Sequence, residues 1–344
     1  MSAQPSPLII AHAAPSSDAC QEALPLLRLP HLEHLLPLLH HTPCPRLPAL
    51  CHNSPAEHLL AQAWGWNSAF TADGLLPFAA HVAQQRGLPT PAGQGWAFIT
   101  PCHWDIQTSH LTMAAPELLQ LSDDEGEALR QAMLPYFVED GLSLHALPRS
   151  DASAPLQWLA CGAALHQLPT ASLAVAVGNT IDDYLPRQPQ TRSLRRLQNE
   201  MQMLLYSHPV NDTRAMQQHR VVNSFWISGT GEWPASSGAP IDVSPTSPPV
   251  ALHTALQNAS QQHDPRAWHD AWLGLDAELI APLVERCRAG QAVDLYLCGP
   301  HKALHLHRTA GESGPHQPLA QRLLRSLPWH TPQPQAVALL QSLL

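Results

Sequence analysis

Two short stretches gather side chains able to do chemistry. The first, Thr100-Pro-Cys-His-Trp-Asp-Ile-Gln-Thr-Ser-His110, holds Cys102, His103, Asp105 and His110 just past a strand-like run. Imidazole, thiolate and carboxylate together suit zinc or another borderline divalent metal such as manganese. His103, Asp105 and His110 are the candidate ligands. Their spacing matches no established metal motif, and 22 histidines in 344 residues produce such clusters by chance. A hydrogen-bonding loop without metal and plain structure therefore stand open beside the metal reading.

The second stretch runs Ser207-His-Pro-Val-Asn-Asp-Thr-Arg214 and then Val222-Asn-Ser-Phe-Trp-Ile-Ser-Gly-Thr-Gly231. His208, Asn211 and Arg214 precede a buried-strand pattern that begins with Asn223 and ends in Gly229-x-Gly231. A bidentate guanidinium, amide donors, a histidine and a small-residue turn are what a phosphate or carboxylate group needs. The same residues would equally cap a turn and satisfy buried backbone. The residue types leave the two readings level.

These groups need elements to position them. Pro7 to Ala14 reads as a short buried strand, and leucines 32, 35, 36 and 39 form a helical stripe in which Pro37 should make a kink or end a turn. Glu57 to Trp66 and Leu75 to Gln85 read as helices, and Gly95 to Thr100 as a strand. Ser122-Asp-Asp-Glu125 is a capping box opening a helix to about Phe137. Leu142–Leu147 and Gln157–Ala160 suggest a strand pair around a turn at 148–155. The clearest helix is Thr191 to Tyr206, with Leu194, Leu197, Met201, Leu204 and Leu205 on one face and arginines 192, 195 and 196 in its first turns. Val221 to Ile227 is a buried strand. A helix is expected around 268–288, strands at 293–298 and 303–308, and a tail helical at each end of a Pro-rich break. The Pro/Ser-rich stretch 232–250 reads as a surface loop. Helices and strands alternate, which predicts one α/β domain over 1–344 with a mostly parallel central sheet flanked by helices, and a small inserted subdomain near 100–190.

Composition narrows the function classes. The chain is 44% hydrophobic, enough for a sizeable core, yet only 13% charged. With 18 basic against 27 acidic residues the net charge is −9, and there is no Lys/Arg run. That argues against nucleic acid or an anionic membrane as partner, while leaving room for a local arginine site. Seven cysteines, an odd number with no C-x-x-C pair, point to reduced thiols. No stretch nears the roughly 18–20 apolar residues of a membrane span, and the expected location is the cytoplasm. The ten tryptophans fit an ordinary core better than a stacking surface.

The motif residues also carry a resemblance. His208-Pro-Val-Asn211, Arg214, Asn223-Ser-Phe-Trp226 and Gly229-Thr-Gly231 resemble a stretch of archaeal-type, cofactor-independent phosphoglycerate mutases that reads His-Pro-x-Asn, Arg, Asn-x-x-Trp-x-x-Gly-x-Gly. The segment from Leu29 to Leu35 is similar to the Thr-Pro-Asn-Leu-Asp-x-Leu helix start of the same alkaline-phosphatase superfamily. Over most of its length the chain resembles a bacterial family labelled phosphoglycerate mutase-like, or a regulatory protein of a pathogenicity-factor cluster. The resemblance implies an alkaline-phosphatase-like fold and a pocket for a small phosphorylated or carboxylated metabolite, bound through His208, Asn211, Arg214, Asn223, Gly229 and Gly231.

Active members of that superfamily open with a strand ending in Asp-Gly and close with an Asp-His-Gly motif. Here the first strand runs into Ala11-His-Ala-Ala-Pro15, with no carboxylate before Asp18, and the late strand ends Cys298-Gly299-Pro-His301. Two-metal phosphoryl transfer needs several such ligands. The expectation is a protein with a degenerate metal site, binding its ligand in a regulatory role. Two alternatives stand beside it. One is an active metal-dependent phosphotransferase, mutase or phosphatase with zinc or manganese on His103, Asp105 and His110. The other is a module that engages a protein partner through 232–250. Catalytic residues and turnover are left open.

Overall fold

A computed structural model describes residues 6–66, 72–149, 154–185, 191–233, 250–312 and 335–344. Most of the Pro/Ser-rich 232–250 stretch, part of the 148–155 turn and the Pro-rich break of the tail lie outside the described residues. In chain order the strands are β1 (Leu8–Ile10), β2 (His40–Pro43), β3 (Gly95–Cys102), β4 (Trp104–Ile106), β5 (Leu111–Met113), β6 (Ser143–Leu147), β7 (Gln157–Gly162), β8 (Ser224–Ser228), β9 (Ala251–His253), β10 (Val293–Cys298) and β11 (Ala303–Arg308). The helices are α1 (Asp18–Ala23), α2 (Pro30–Leu35), α3 (Pro55–Ala63), α4 (Phe78–Gln85), α5 (Asp123–Glu139), α6 (Leu173–Ala176), α7 (Arg192–Tyr206), α8 (Pro209–Met216), α9 (Ala255–Gln261), α10 (Pro265–Leu275), α11 (Ala281–Arg288) and α12 (Gln335–Ser342).

The chain forms two compact units. The first comprises Met1–Leu50, Ser54–Gly65 and Ile241–Leu344; the second comprises Cys51–Asn53 and Trp66–Pro240. The segment 100–190, singled out in the sequence, falls wholly inside the second.

The first unit is built on a five-stranded sheet in the order β2-β11-β10-β1-β9. β1 is parallel to both β10 and β9, whereas β10–β11 and β11–β2 are antiparallel. The leucine stripe packs as expected: Leu32, Leu35, Leu36 and Leu39 are all buried, with Pro37 in a single 3-10 turn that follows α2. Trp268 and Trp272 of α10 are fully buried in the same core, and their indole N–H groups donate to the carbonyls of His12 (3.2 Å) and Ala13 (3.1 Å). This satisfies the polar edge of each ring while the rest fills the core. The expected 268–288 helix is α10 joined to α11 by a π-helical turn, Asp276–Ile280. Buried Asp276 in that turn accepts from the backbone N–H of His31 (3.0 Å) and Leu32 (2.8 Å), closing the open N-terminus of α2. Glu33 does the same for α12, accepting from Gln335 and Ala336.

The second unit has a four-stranded antiparallel sheet, β6-β7-β3-β8, and a separate β4–β5 hairpin. β3 is central and covered on both faces, which is why Trp-Ala-Phe-Ile reads as a continuous apolar run. Alternate residues serve opposite sides: Ala97 and Ile99 join a core with α5 and α7, while Trp96 and Phe98 pack toward α4. The capping box is present in full, with Glu125 N donating to Ser122 Oγ (3.2 Å) and Ser122 N donating to Glu125 Oε2 (2.8 Å).

The mixed α/β class is as expected, but the mostly parallel sheet is corrected. Parallel pairing is confined to β1 with its two neighbours; the other strand pairs are antiparallel. The reason lies in the connections. Gly299 N donates to Lys302 O (2.8 Å) in the turn between β10 and β11, and so short a link returns the chain antiparallel. β6 and β7 are likewise consecutive in the chain and antiparallel.

Candidate functional site

Within the second unit, α7 is amphipathic in the strict sense. Leu194, Leu197, Met201 and Leu205 are buried, and a flanking outer face carries Arg195, Asn199, Gln202 and Tyr206. That outer face lines a groove of about 720 Å³, bordered also by α8 and the β4–β5 hairpin. Trp104, Ile106 and Leu111 supply an apolar wall from the hairpin, and Asp212 of α8 lies at its border. Ile106 and Tyr206 are both more than four-fifths exposed, at 85% and 89%. Arg195, Asn199, Gln202 and Asp212 have no side-chain hydrogen bond or ion pair among the described residues. Gln198, also on the groove, is partly engaged: it donates to Phe225 O at 3.0 Å.

The residues expected to hold the ligand sit beside this groove but are occupied with the protein itself. Arg214 is completely buried. Its Nε donates to Arg220 O (2.9 Å), one terminal nitrogen to Glu125 Oε1 (2.9 Å), and the other to Leu119 O. Asn211 donates to Leu205 O (2.8 Å) and Val222 O (2.6 Å) and accepts from Val222 N (2.9 Å). It thereby staples the end of α7 to the strand-entry segment. Asn223 pairs both ways with the Trp104 backbone, accepting from its N–H (2.7 Å) and donating to its carbonyl (2.9 Å). His208 caps α8, its Nδ1 accepting from Val210 N at 3.2 Å, with Pro209 in the first turn. Burial lowers its pKa, against the opposing charge of Asp212.

Gly229 and Gly231 are required by shape. Gly229 has φ +69° and Gly231 φ +151°. A Cβ on Gly231 would sit 2.3 Å from Leu75 O, and one on Gly229 2.6 Å from the Phe98 ring. The hydrogen bonds that His208, Asn211, Arg214 and Asn223 make are to the protein itself, while Asn211 and Asn223 also line the groove. Buried polar groups must find partners, and here the backbone of neighbouring elements provides them.

The 100–110 stretch is assembled only in part. His103 Nδ1 donates to Val221 O (2.8 Å), and its Nε2 lies 3.3 Å from Asp105 Oδ1. Asp105 is further engaged by Arg220, at 2.9 and 3.2 Å. His110 is exposed at the hairpin turn against Ser109 Oγ (3.3 Å) and does not join them. Cys102 is fully buried and its thiol pKa is pushed far up by that burial, so it stays protonated. Among the described residues no three His, Cys, Asp or Glu side chains are grouped to hold a metal. His103, Asp105 and His110 are therefore corrected from a ligand set to a polar link, Arg220–Asp105–His103, holding β4 to the segment before β8. In the first unit the parallel neighbours β1 and β10 end at Ile10 and Cys298, and neither end carries a carboxylate.

No protein-family model matches the chain, and no curated protein matches it. Among solved structures it is similar to a Pyrococcus horikoshii protein, with TM-score 0.39 and 12% identity over 91% of this chain and 88% of that one. It is also similar to the cofactor-independent phosphoglycerate mutase from Thermoplasma acidophilum DSM 1728, with TM-score 0.34 and 13% identity over 98% and 99% of the two chains. At these values neither likeness bears on what the groove binds. No helix among the described residues is long and apolar enough to cross a membrane.

The α7 face was missed because its polar residues carry no motif. A signal was present: Arg195, Asn199, Gln202 and Tyr206 recur at helical spacing beside the leucines, with carboxamides where an ordinary surface helix would place charged pairs.

Proposed function

We propose that this chain is a phosphoglycerate mutase-like protein that binds a small phosphorylated or carboxylated ligand in a regulatory role, and that the binding site is the α7 groove. The observation that carries this reading is Arg195. Its guanidinium is exposed, lacks a side-chain partner among the described residues, and borders a groove large enough for a metabolite. A guanidinium so placed can take a phosphate or carboxylate bidentately. The sequence resemblance supplies the class of ligand, and the motif residues support the groove from behind: Asn211 and Asn223 fix the walls that Arg195 faces. Ligand binding without metal-dependent transfer is further favoured by the donor sets, since Asp105 is already paired with Arg220 and His110 stands apart.

The test is titration of the full chain with 3-phosphoglycerate and a panel of phosphorylated and carboxylated metabolites. Saturable binding that Arg195→Ala weakens about tenfold or more supports the reading, a loss in the range of one charge-assisted pair. Undiminished affinity in Arg195→Ala overturns the site. Mutase or phosphatase turnover with added manganese or zinc overturns the non-catalytic role.

A further inference from the structure

The groove has two poles. Positions 195, 199, 202 and 206 follow one another along one face of α7, and the rise from Arg195 to Tyr206 is about 16 Å at ~1.5 Å per residue. Arg195 stands near the start of this row. Asp212 borders the same groove from α8, past the C-terminal end of α7, and is likewise exposed with no side-chain partner among the described residues. Between the poles lie the carboxamides of Asn199 and Gln202, each able to donate and accept. The apolar hairpin residues Trp104 and Ile106 line the groove as well. A wholly anionic metabolite matches Arg195 alone. It leaves the carboxamides and the apolar wall unmatched, and offers Asp212 no positive charge.

We infer that the ligand is a short extended peptide with free termini, its terminal carboxylate at Arg195 and its terminal ammonium at Asp212. Asn199 and Gln202 pair with the peptide backbone, and side chains on one edge pack against Trp104 and Ile106. An extended chain advances about 3.3 Å per residue, so the row of about 16 Å from Arg195 to Tyr206 is matched by roughly five residues, and the terminal ammonium reaches past its end to Asp212. A groove of about 720 Å³ has room for such a peptide. This rests on the same α7 groove as the proposed function and narrows its carboxylated ligand to a zwitterionic one.

The experiment titrates the full chain with a degenerate pentapeptide pool in three forms: free termini, amidated C-terminus and acetylated N-terminus. Tryptophan fluorescence and thermal shift are the readouts, with circular dichroism confirming that each variant is folded. The free pool is expected to bind saturably. Amidation and Arg195→Ala each weaken it about tenfold or more, and together no further than either alone, because both remove the same ion pair. Acetylation and Asp212→Asn share a smaller, several-fold loss in the same way. Equal binding of free and amidated pools, or no saturation by the free pool at millimolar concentration, overturns the inference. Binding of 3-phosphoglycerate that depends on Arg195, with no response to peptide, overturns the peptide and leaves the proposed function standing. No response to either ligand overturns both.

Discussion

Arg214 and Arg195 sit on consecutive helices of the same unit, and they do opposite things. Arg214 is fully buried, and its guanidinium reaches Glu125 and two backbone carbonyls. Arg195 stands exposed on the groove with its donors unengaged among the described residues. One arginine ties three segments together; the other leaves its donors to the groove. Residue type does not separate them, and neither does proximity to a suggestive motif. What separates them is whether neighbouring backbone has already taken their hydrogen bonds.

The comparison is broken or sharpened first at Arg214. Arg214→Ala takes from Glu125 its charged partner, deprives Arg220 O and the buried Leu119 O of their donors, and opens a cavity. A loss of about 3–5 kcal/mol is expected, as for a buried pair deprived of one partner, read from urea denaturation. An Arg214→Ala protein as stable as the parent would show that the buried arginine is not a structural tie. Next comes Asn211→Ala, which removes three internal hydrogen bonds and leaves the N–H and C=O of Val222 without their partner. About 2–3 kcal/mol should be lost in the same assay. Arg195→Ala is expected to behave in the opposite sense, shifting stability by no more than about 0.5 kcal/mol while weakening ligand capture about tenfold or more. A large stability loss there would erase the distinction between the two arginines.

The smallest effect concerns acid. Burial raises the Glu125 pKa, but hydrogen bonds from the Ser122 backbone and the Arg214 side chain outweigh it, so its value in the folded protein lies below the ordinary 4.5. A depressed carboxylate stabilises the fold above its unfolded pKa and loses that contribution as pH falls through the folded value. Thermal midpoints measured downward from pH 6 should therefore start to drop near pH 4.5. In Glu125→Gln the midpoint should start lower and depend less steeply on pH across that window. An unchanged slope would mean that another group governs the acid response.

Much of the local structure was legible in residue order. The leucine stripe of α7 and the Ser122–Glu125 capping box are local patterns, and local patterns declare themselves within a turn or two. Pairing direction did not declare itself, because an alternation of helices and strands is compatible with parallel and antiparallel sheets alike. The site was legible only by neighbourhood. His208, Asn211, Arg214 and Asn223 stand on or beside the groove walls, but a side chain bonded to backbone from a distant segment looks the same in sequence as one awaiting a ligand. Glu125 lies 89 residues from Arg214, and Trp104 lies 119 from Asn223. No window along the chain holds both partners. Asp105 shows the same limit in reverse: it resembled a metal ligand until Arg220, 115 residues on, was seen to claim it.

The strand order of the first unit has a consequence for how the chain is made. β1 lies between β9 and β10, and Asp276, which closes the start of α2, is 244 residues from Leu32. A ribosome therefore delivers β1 and the leucine-rich segment behind it long before their partners exist. Residues 66–240, by contrast, contain both sheets of the second unit and can settle while synthesis continues. The nascent protein must carry an unpaired strand and a row of exposed leucines until β9 and β10 have been made, a natural target for holding chaperones. Ribosome-stalled chains ending before β9 should bind such chaperones through residues 8–39, and chains released after β11 should not.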